Sequence, residues 1–544
     1  MKSTGLKKGK IFILGLILAI GATAFTVNNG KYYEIAKNLE IFSNIYKEIN
    51  MLYVDDLDPG ELMKTGVDAM LESLDPYTNY ISESEIEGYR FNTMGKYKGI
   101  GARVINFEEY PTIVSIYKDS PSDKAGLRVG DRFVSINGNE VANRSFDEVD
   151  AILKGSPGTV VSCKIQRSGL EDYLDIELIR DDVVVNNVPY YGMVSEKIAY
   201  ISLTTFTQAA GKNIENALKD LKKSHEIEGV ILDLRGNGGG LLMEAVNISN
   251  IFIPKGELVV STKGKSPEWD KNFVTRTEVY DPEIKLAVLI NGRSASASEI
   301  VSGVIQDYDR GLIIGQKSYG KGLVQNTKDV GFNSKVKLTT AKYYIPSGRC
   351  IQSVEYKDGE PVDIPEESRA KFQTKNGRMV LDGGGVLPDL LMDKPVYDAC
   401  TQALIGQYQL FNFVDKQFAG IDSIPDLEAF RFEAWEAFTD YLKNAEFEYM
   451  TDSEQTLESL SKNAAADDLA IQSQIKSIQS SIEKQKSAAL ERNKALIIDL
   501  IEKEVANKFG YQRGRTQMNL RNDKEVDFAI EVLLDSERYN KILN

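Results

Sequence analysis

The chain has 544 residues, of which 42% are hydrophobic and 27% charged, and a formal net charge of −15. That length predicts three or four domains and that composition a globular protein. The acidic balance argues against a nucleic-acid partner, which needs a basic face. A single histidine, His225, excludes a multi-histidine zinc site.

The N-terminus carries Lys2, Lys7, Lys8 and Lys10, followed by "IFILGLILAIGATAFTV", 17 uncharged and mostly apolar residues. Their number is at the short limit for a membrane span. A small-residue "ATA" at 22–24 also fits a secretory cleavage site. Residues 1–30 therefore read as a signal peptide or a membrane anchor. Either predicts export, and an anchor would add membrane contact. Apolar residues at helical spacing in "IAKNLEIFSNIYKEINMLYV" and "LMKTGVDAMLESL" predict an N-terminal helical region over 31–90, broken at Asp75-Pro76.

Residues 91–182 predict short strands punctuated by glycine turns. "YKGIGARV" leads into an alternating strand. "AGLRVGDRFVSING" follows as a turn, a strand and an Asn137-Gly138 turn, and "SFDEVDAILKG" as an amphipathic helix. This order resembles a PDZ domain. The resemblance implies that Gly99, Ile100, Gly101 and Ala102 form the loop that binds a peptide carboxylate. An extended peptide would then add to the neighbouring strand, with alternate side chains in pockets.

From 183 to 395 strands alternate with helices, which predicts an α/β layer. His225, in "ALKDLKKSHEIEGVILDL", falls near a helix end, where a positive side chain suits the dipole. "GNGGGL" after the strand "GVILDLR" fails the dinucleotide fingerprint at its last position. Its amides can still form an anion nest, and Asp233 and Arg235 beside it read as structural. "GQKSYGK" lacks the Ser/Thr of a phosphate loop and runs into a strand, so phosphate binding is not expected.

"NGRSASASEI", 291–300, lies between the apolar strand "KLAVLINGR" and the helix "ASEIVSGVIQDY". Unpaired amides at a helix start can stabilise an oxyanion. Ser296-x-x-Glu299 also fits a capping box, worth about 1 kcal/mol, and that motif alone favours a purely structural serine. A catalytic serine would need a proton acceptor other than histidine. A desolvated lysine can serve. Lys321, between Gly320 and Gly322, is the candidate, although taken alone it reads as a solvated turn lysine. Gln325 lies an even number of residues on, which in an extended strand puts it on the same side.

Together "DLRGNGGG", "NGRSASASEI", "YGKGLVQ" and "YYIPSGRCIQ" stand in the order and form of the carboxyl-terminal processing, or tail-specific, proteases. The resemblance spans roughly 35–395. It implies an α/β core of crotonase/ClpP-like fold at 183–395. It also implies Ser296 as nucleophile, Lys321 as base, Gln325 as its partner, and the amides of Ala297 and Gly239 as oxyanion hole, with Gly238 the alternative to Gly239. Glu299 is expected behind the site or as a cap, and Ser294 and Ser298 as structural or rim residues. No metal and no other cofactor is implied.

Residues 396–544 are rich in Glu, Gln, Lys, Ala and Leu and predict a helical extension. In it Ile471, Ile475, Ile478 and Ile482 form a heptad-like seam. It could pack on itself, join two copies or hold an adaptor. The three cysteines, Cys163, Cys350 and Cys400, show no paired spacing and read as buried thiols.

The expected function is an exported serine endopeptidase, periplasmic or anchored at the inner membrane, acting on polypeptides with recognised C-terminal tails. Two rivals are a catalytically inactive PDZ scaffold and a small-molecule esterase or amidase.

Overall fold

A computed structural model describes residues 31–357, 360–466 and 471–544. The expected signal or anchor lies outside the described residues. Among those described, no helix is long and apolar enough to cross a membrane. The chain divides into two compact units. In the smaller, residues 31–52 are helical and a second helix, Pro59–Glu72, follows. Asp58 caps the second helix through the amides of Gly60 and Glu61, and Pro59 occupies its first turn, where a missing N–H does no harm.

The larger unit is built on a six-stranded sheet. Its spatial order is Tyr191–Met193, Ile198–Ser202, Gly229–Asp233, Lys285–Ile290, Leu312–Gly315 and Leu390–Leu391. The first pairing is antiparallel and the rest are parallel. The central strands are unbroken apolar runs because helices cover both faces. On one face lie Ala210–Ser224, Leu242–Phe252 and Ala297–Asp307, whose buried side chains join one core with the sheet. The opposite face is closed by the last two helices of the chain, Lys524–Leu534 and Ser536–Leu543. They bury Val526, Ala529, Val532, Leu533 and Tyr539 against Ile198, Ile231 and Leu289. The end of the helical extension is thus part of the α/β core rather than an appendage. Lys285 Nζ donates to the Leu533 carbonyl at 2.7 Å and fixes this layer.

An antiparallel layer includes Leu258–Gly264, Lys271–Val274, Leu323–Gly331 and Ser334–Tyr344. The PDZ region is a six-stranded sheet around Ile113, Phe133, Ile136, Val161, Ile165 and Leu178. Its helix Phe146–Leu153 starts with a capping box between Ser145 and Glu148. Strands Lys96–Gly99 and Asp181–Val184 pair at the point where the chain enters and leaves this region.

The remaining helices pack around Phe413, Phe438, Ile497, Ile501 and Val505. They also grip the PDZ sheet. Lys508 Nζ contacts Asp415 and the Val129 carbonyl, both at 2.7 Å. Of the isoleucine seam, Ile475 is buried with Leu457 and Ala464, Ile471 and Ile482 pack beside them, and Ile478 is exposed. The three cysteines are free thiols.

Candidate active site

The strand Lys285–Ile290 runs into the serine loop, and the helix Ala297–Asp307 leaves it. Two of the three serines hold this loop. Ser294 Oγ donates to the Leu234 carbonyl and Ser298 Oγ to the Asn237 carbonyl, each at 2.8 Å, and both side chains are fully buried. Ser296 is the one that reaches solvent. Its φ is +55°, a left-handed conformation that L-residues rarely adopt. Such strain persists only where the surroundings over-determine it, and it clusters at functional sites.

The surroundings here are a carboxylate and a phenol. Glu299 is fully buried, yet its carboxylate accepts four hydrogen bonds. Oε2 takes the amides of Ser296 at 2.7 Å and Lys321 at 2.9 Å. Oε1 takes the Gly320 amide and the Ser318 hydroxyl, each at 2.6 Å. The capping motif is therefore half of a larger device: the residue that closes the helix start also holds the lysine turn. Burial pushes the Glu299 carboxyl up to about 7, against the lowering effect of its four donors. Opposite it, the Tyr343 hydroxyl contacts the Lys321 carbonyl at 2.5 Å and the Ser296 carbonyl at 3.2 Å. Serine and lysine are clamped to each other through both their amides and their carbonyls.

Lys321 sits in the turn before the strand Leu323–Gly331, and its side chain is half-buried. The even-step argument for Gln325 does not hold locally. Lys321 precedes the strand, and the ladder shifts register between Val324 and Gln325. A bulge re-aims side chains, so parity across it carries no information. The Gln325 amide nitrogen donates to Thr339 Oγ1 at 3.2 Å.

The glycine turn lies against the serine loop. A Cβ at Gly239 (φ +96°) would fall 2.7 Å from the Ala295 carbonyl oxygen and 2.9 Å from the Ala297 nitrogen, so only glycine fits. The Gly239 amide donates to Asn237 Oδ1 at 2.9 Å. An oxyanion would have to take that hydrogen bond over. Asn237, fully buried, organises the junction. Its Nδ2 donates to the Leu203 carbonyl at 2.8 Å, and its own carbonyl accepts from the Ala295 amide at 3.0 Å. Arg235 pairs with Asp233, Asp523 and Glu525, which ties the base of this turn to the final helices. His225 caps the helix Ala210–Ser224, with Nδ1 3.3 Å from the Leu221 carbonyl.

In the PDZ region, the strand Ala102–Phe107 is at the sheet edge and, among the described residues, pairs only with Tyr110–Ile116. The Gly101 carbonyl accepts from the Tyr117 amide at 3.0 Å and the Ile100 carbonyl from the Ser122 amide at 2.8 Å. The first of these bonds makes Ala102 and Ile116 a non-hydrogen-bonded pair, so the Ala102 N–H faces the open edge. That edge can accept another strand.

Sequence reasoning missed Tyr343, Asn237 and the coupling through Glu299. Tyr343 begins "YYIPSGRCIQ", but which face of a strand it uses depends on register.

Residues 197–360 match the profile of peptidase family S41, residues 112–167 that of a PDZ domain, and residues 400–533 that of a probable PDZ-protease C-terminal helical domain. A carboxy-terminal-processing protease of Bartonella bacilliformis is 35% identical over 373 residues, covering 67% of this chain and 85% of that protein. The carboxy-terminal processing protease CtpA of Bacillus subtilis is 31% identical, over 66% of this chain and 75% of that one. A probable CtpA-like serine protease of Staphylococcus aureus is 32% identical, over 68% and 73%. These matches define a serine-type peptidase that carries a PDZ domain. The chain belongs to peptidase family S41, among the carboxy-terminal processing proteases.

Proposed function

We propose that the protein is an exported endopeptidase. It takes the C-terminal tails of polypeptides on its PDZ edge strand and cleaves them with a Ser296–Lys321 dyad. The observation that carries the dyad is the single Glu299 oxygen that accepts the amides of both residues. Export rests on the apolar segment behind the N-terminal lysines. An apolar tail preference fits the side chains of the PDZ groove.

In this reading Lys321, with its amine neutral, removes the Ser296 hydroxyl proton as Oγ attacks the scissile carbonyl. Negative charge collects on the carbonyl oxygen. The Ala297 amide stabilises it, joined by the Gly239 amide once that exchanges Asn237 Oδ1 for the substrate. The intermediate collapses to an acyl-enzyme as Lys321 returns the proton to the leaving amine. Lys321 then takes a proton from water as the hydroxide attacks the ester, and it returns that proton to Ser296 Oγ as the acyl–oxygen bond breaks. Gln325 serves to orient the lysine amine.

The test is an unfolded protein substrate, with and without its last few apolar residues, given to wild type, Ser296→Ala and Lys321→Ala. Tail-dependent cleavage by wild type alone, with tail binding kept in both variants, is the expected result. Binding without cleavage by wild type would make the protein a scaffold. Cleavage indifferent to the tail would contradict the tail-capture step.

A further inference from the structure

The edge strand and the helix Phe146–Leu153 are two walls of the groove. A third wall comes from the helix that leads into the PDZ region. The helix Ile86–Met94 brings Gly88 and Phe91, one turn apart, to a cavity of about 210 Å³. Ile100, Val104, Val149 and Leu153 also line it, and all four are buried apolar residues. Phe91 is held edge-on by Tyr97, their ring centres 5.5 Å apart. Charge stands among the lining residues in Arg103 and Lys154, the latter paired with Asp150 at 2.5 Å.

Gly88 is the telling residue. It sits inside a helix, where glycine is the poorest choice after proline. Its φ is not left-handed, and a Cβ built on it meets nothing within 4 Å. Neither backbone conformation nor close packing calls for glycine here. Gly88 lines the cavity, and a side chain added there would meet open space. The whole cavity equals about seven waters in volume, room for a large side chain rather than a methyl group.

We infer that Gly88 and Phe91 are specificity-determining residues. They shape the pocket for the last side chain of the bound tail, so that tails ending in a large apolar residue (leucine or phenylalanine) are selected over those ending in alanine. This rests on the reading that a polypeptide C-terminus is seated on the edge strand. The apolar lining gives binding that grows with the area buried, and the wall at Gly88 sets the upper size.

The experiment uses the full chain with Ser296→Ala to prevent turnover. Binding is measured by fluorescence anisotropy for four labelled peptides that differ only in ending with Ala, Val, Leu or Phe. Burial of a leucine-sized side chain predicts that the Leu and Phe tails bind at least about tenfold tighter than the Ala tail. Adding Gly88→Leu, a change that favours the helix, should weaken the Leu and Phe tails about tenfold and leave the Ala tail within about twofold. Gly88→Ala should weaken the Phe tail more than the Leu tail. Phe91→Ala should weaken both by opening the wall. An equal loss for all four tails, or an unchanged Phe-to-Ala ratio in Gly88→Leu, overturns the inference while leaving tail capture intact. No binding of any peptide by the Ser296→Ala chain overturns tail capture and this inference together.

Discussion

The serine loop and the PDZ groove are built in opposite ways. At the serine loop, buried and half-buried polar groups face one another at 2.5–3.2 Å, from Ser296, Glu299, Lys321 and Tyr343. In the groove, mostly apolar side chains surround open space and, among the described residues, one edge of the sheet is unpaired. The first arrangement fixes geometry, because every group removed leaves a buried partner unsatisfied. The second fixes only size and polarity, so it can accept many sequences that share an ending. A protease that acts on tails needs both: one tightly held bond-breaking centre and one permissive handle.

Breaking the centre should therefore be drastic. Ser296→Ala and Lys321→Ala are each expected to lower kcat by about 10³-fold or more, read as the rate of product release from a tail-bearing protein. Just behind the site, Arg349 is buried and contacts Asp307, the last residue of the serine helix, at 3.0 Å. Arg349→Ala strands that carboxylate and should destabilise the fold by about 3–5 kcal/mol in urea denaturation. Glu299→Ala releases both amides from one anchor and should cost about 10² in kcat, with tail affinity unchanged. Tyr343→Phe removes one hydroxyl from two carbonyls, for an expected loss of about tenfold in kcat.

The mildest test concerns pH. Because burial raises the Glu299 carboxyl to about 7, the folded state holds a proton there that the unfolded chain has already lost. This group's contribution favours the fold below the ordinary carboxylate range and is lost as pH rises through about 7. In Glu299→Gln, the decline of unfolding free energy between about pH 5 and about pH 8 should be shallower than in wild type.

Contiguous motifs made part of this contrast readable from the residues alone. The glycine turn, the serine loop and the lysine turn each lie within a dozen residues, and the PDZ helix announces itself as the amphipathic run "SFDEVDAILKG". What the sequence leaves hidden is long-range. Tyr343 and Asn237 act through registers and turns that no local pattern specifies. The bulge after Val324 undid a parity argument that holds only in regular strands. The final helices read as polar and self-packing, yet Val526, Val532 and Leu533 close the central sheet. No motif in the sequence marks Gly88; only the cavity beside it does.

Reaction with a peptidyl fluorophosphonate ending in leucine, followed by mass spectrometry of the digested protein, identifies the attacking hydroxyl. The expected result is a covalent adduct on Ser296 in wild type and its loss in Lys321→Ala with tail binding preserved. An adduct on Ser294 or Ser298, or undiminished labelling of Ser296 without the Lys321 amine, would contradict it.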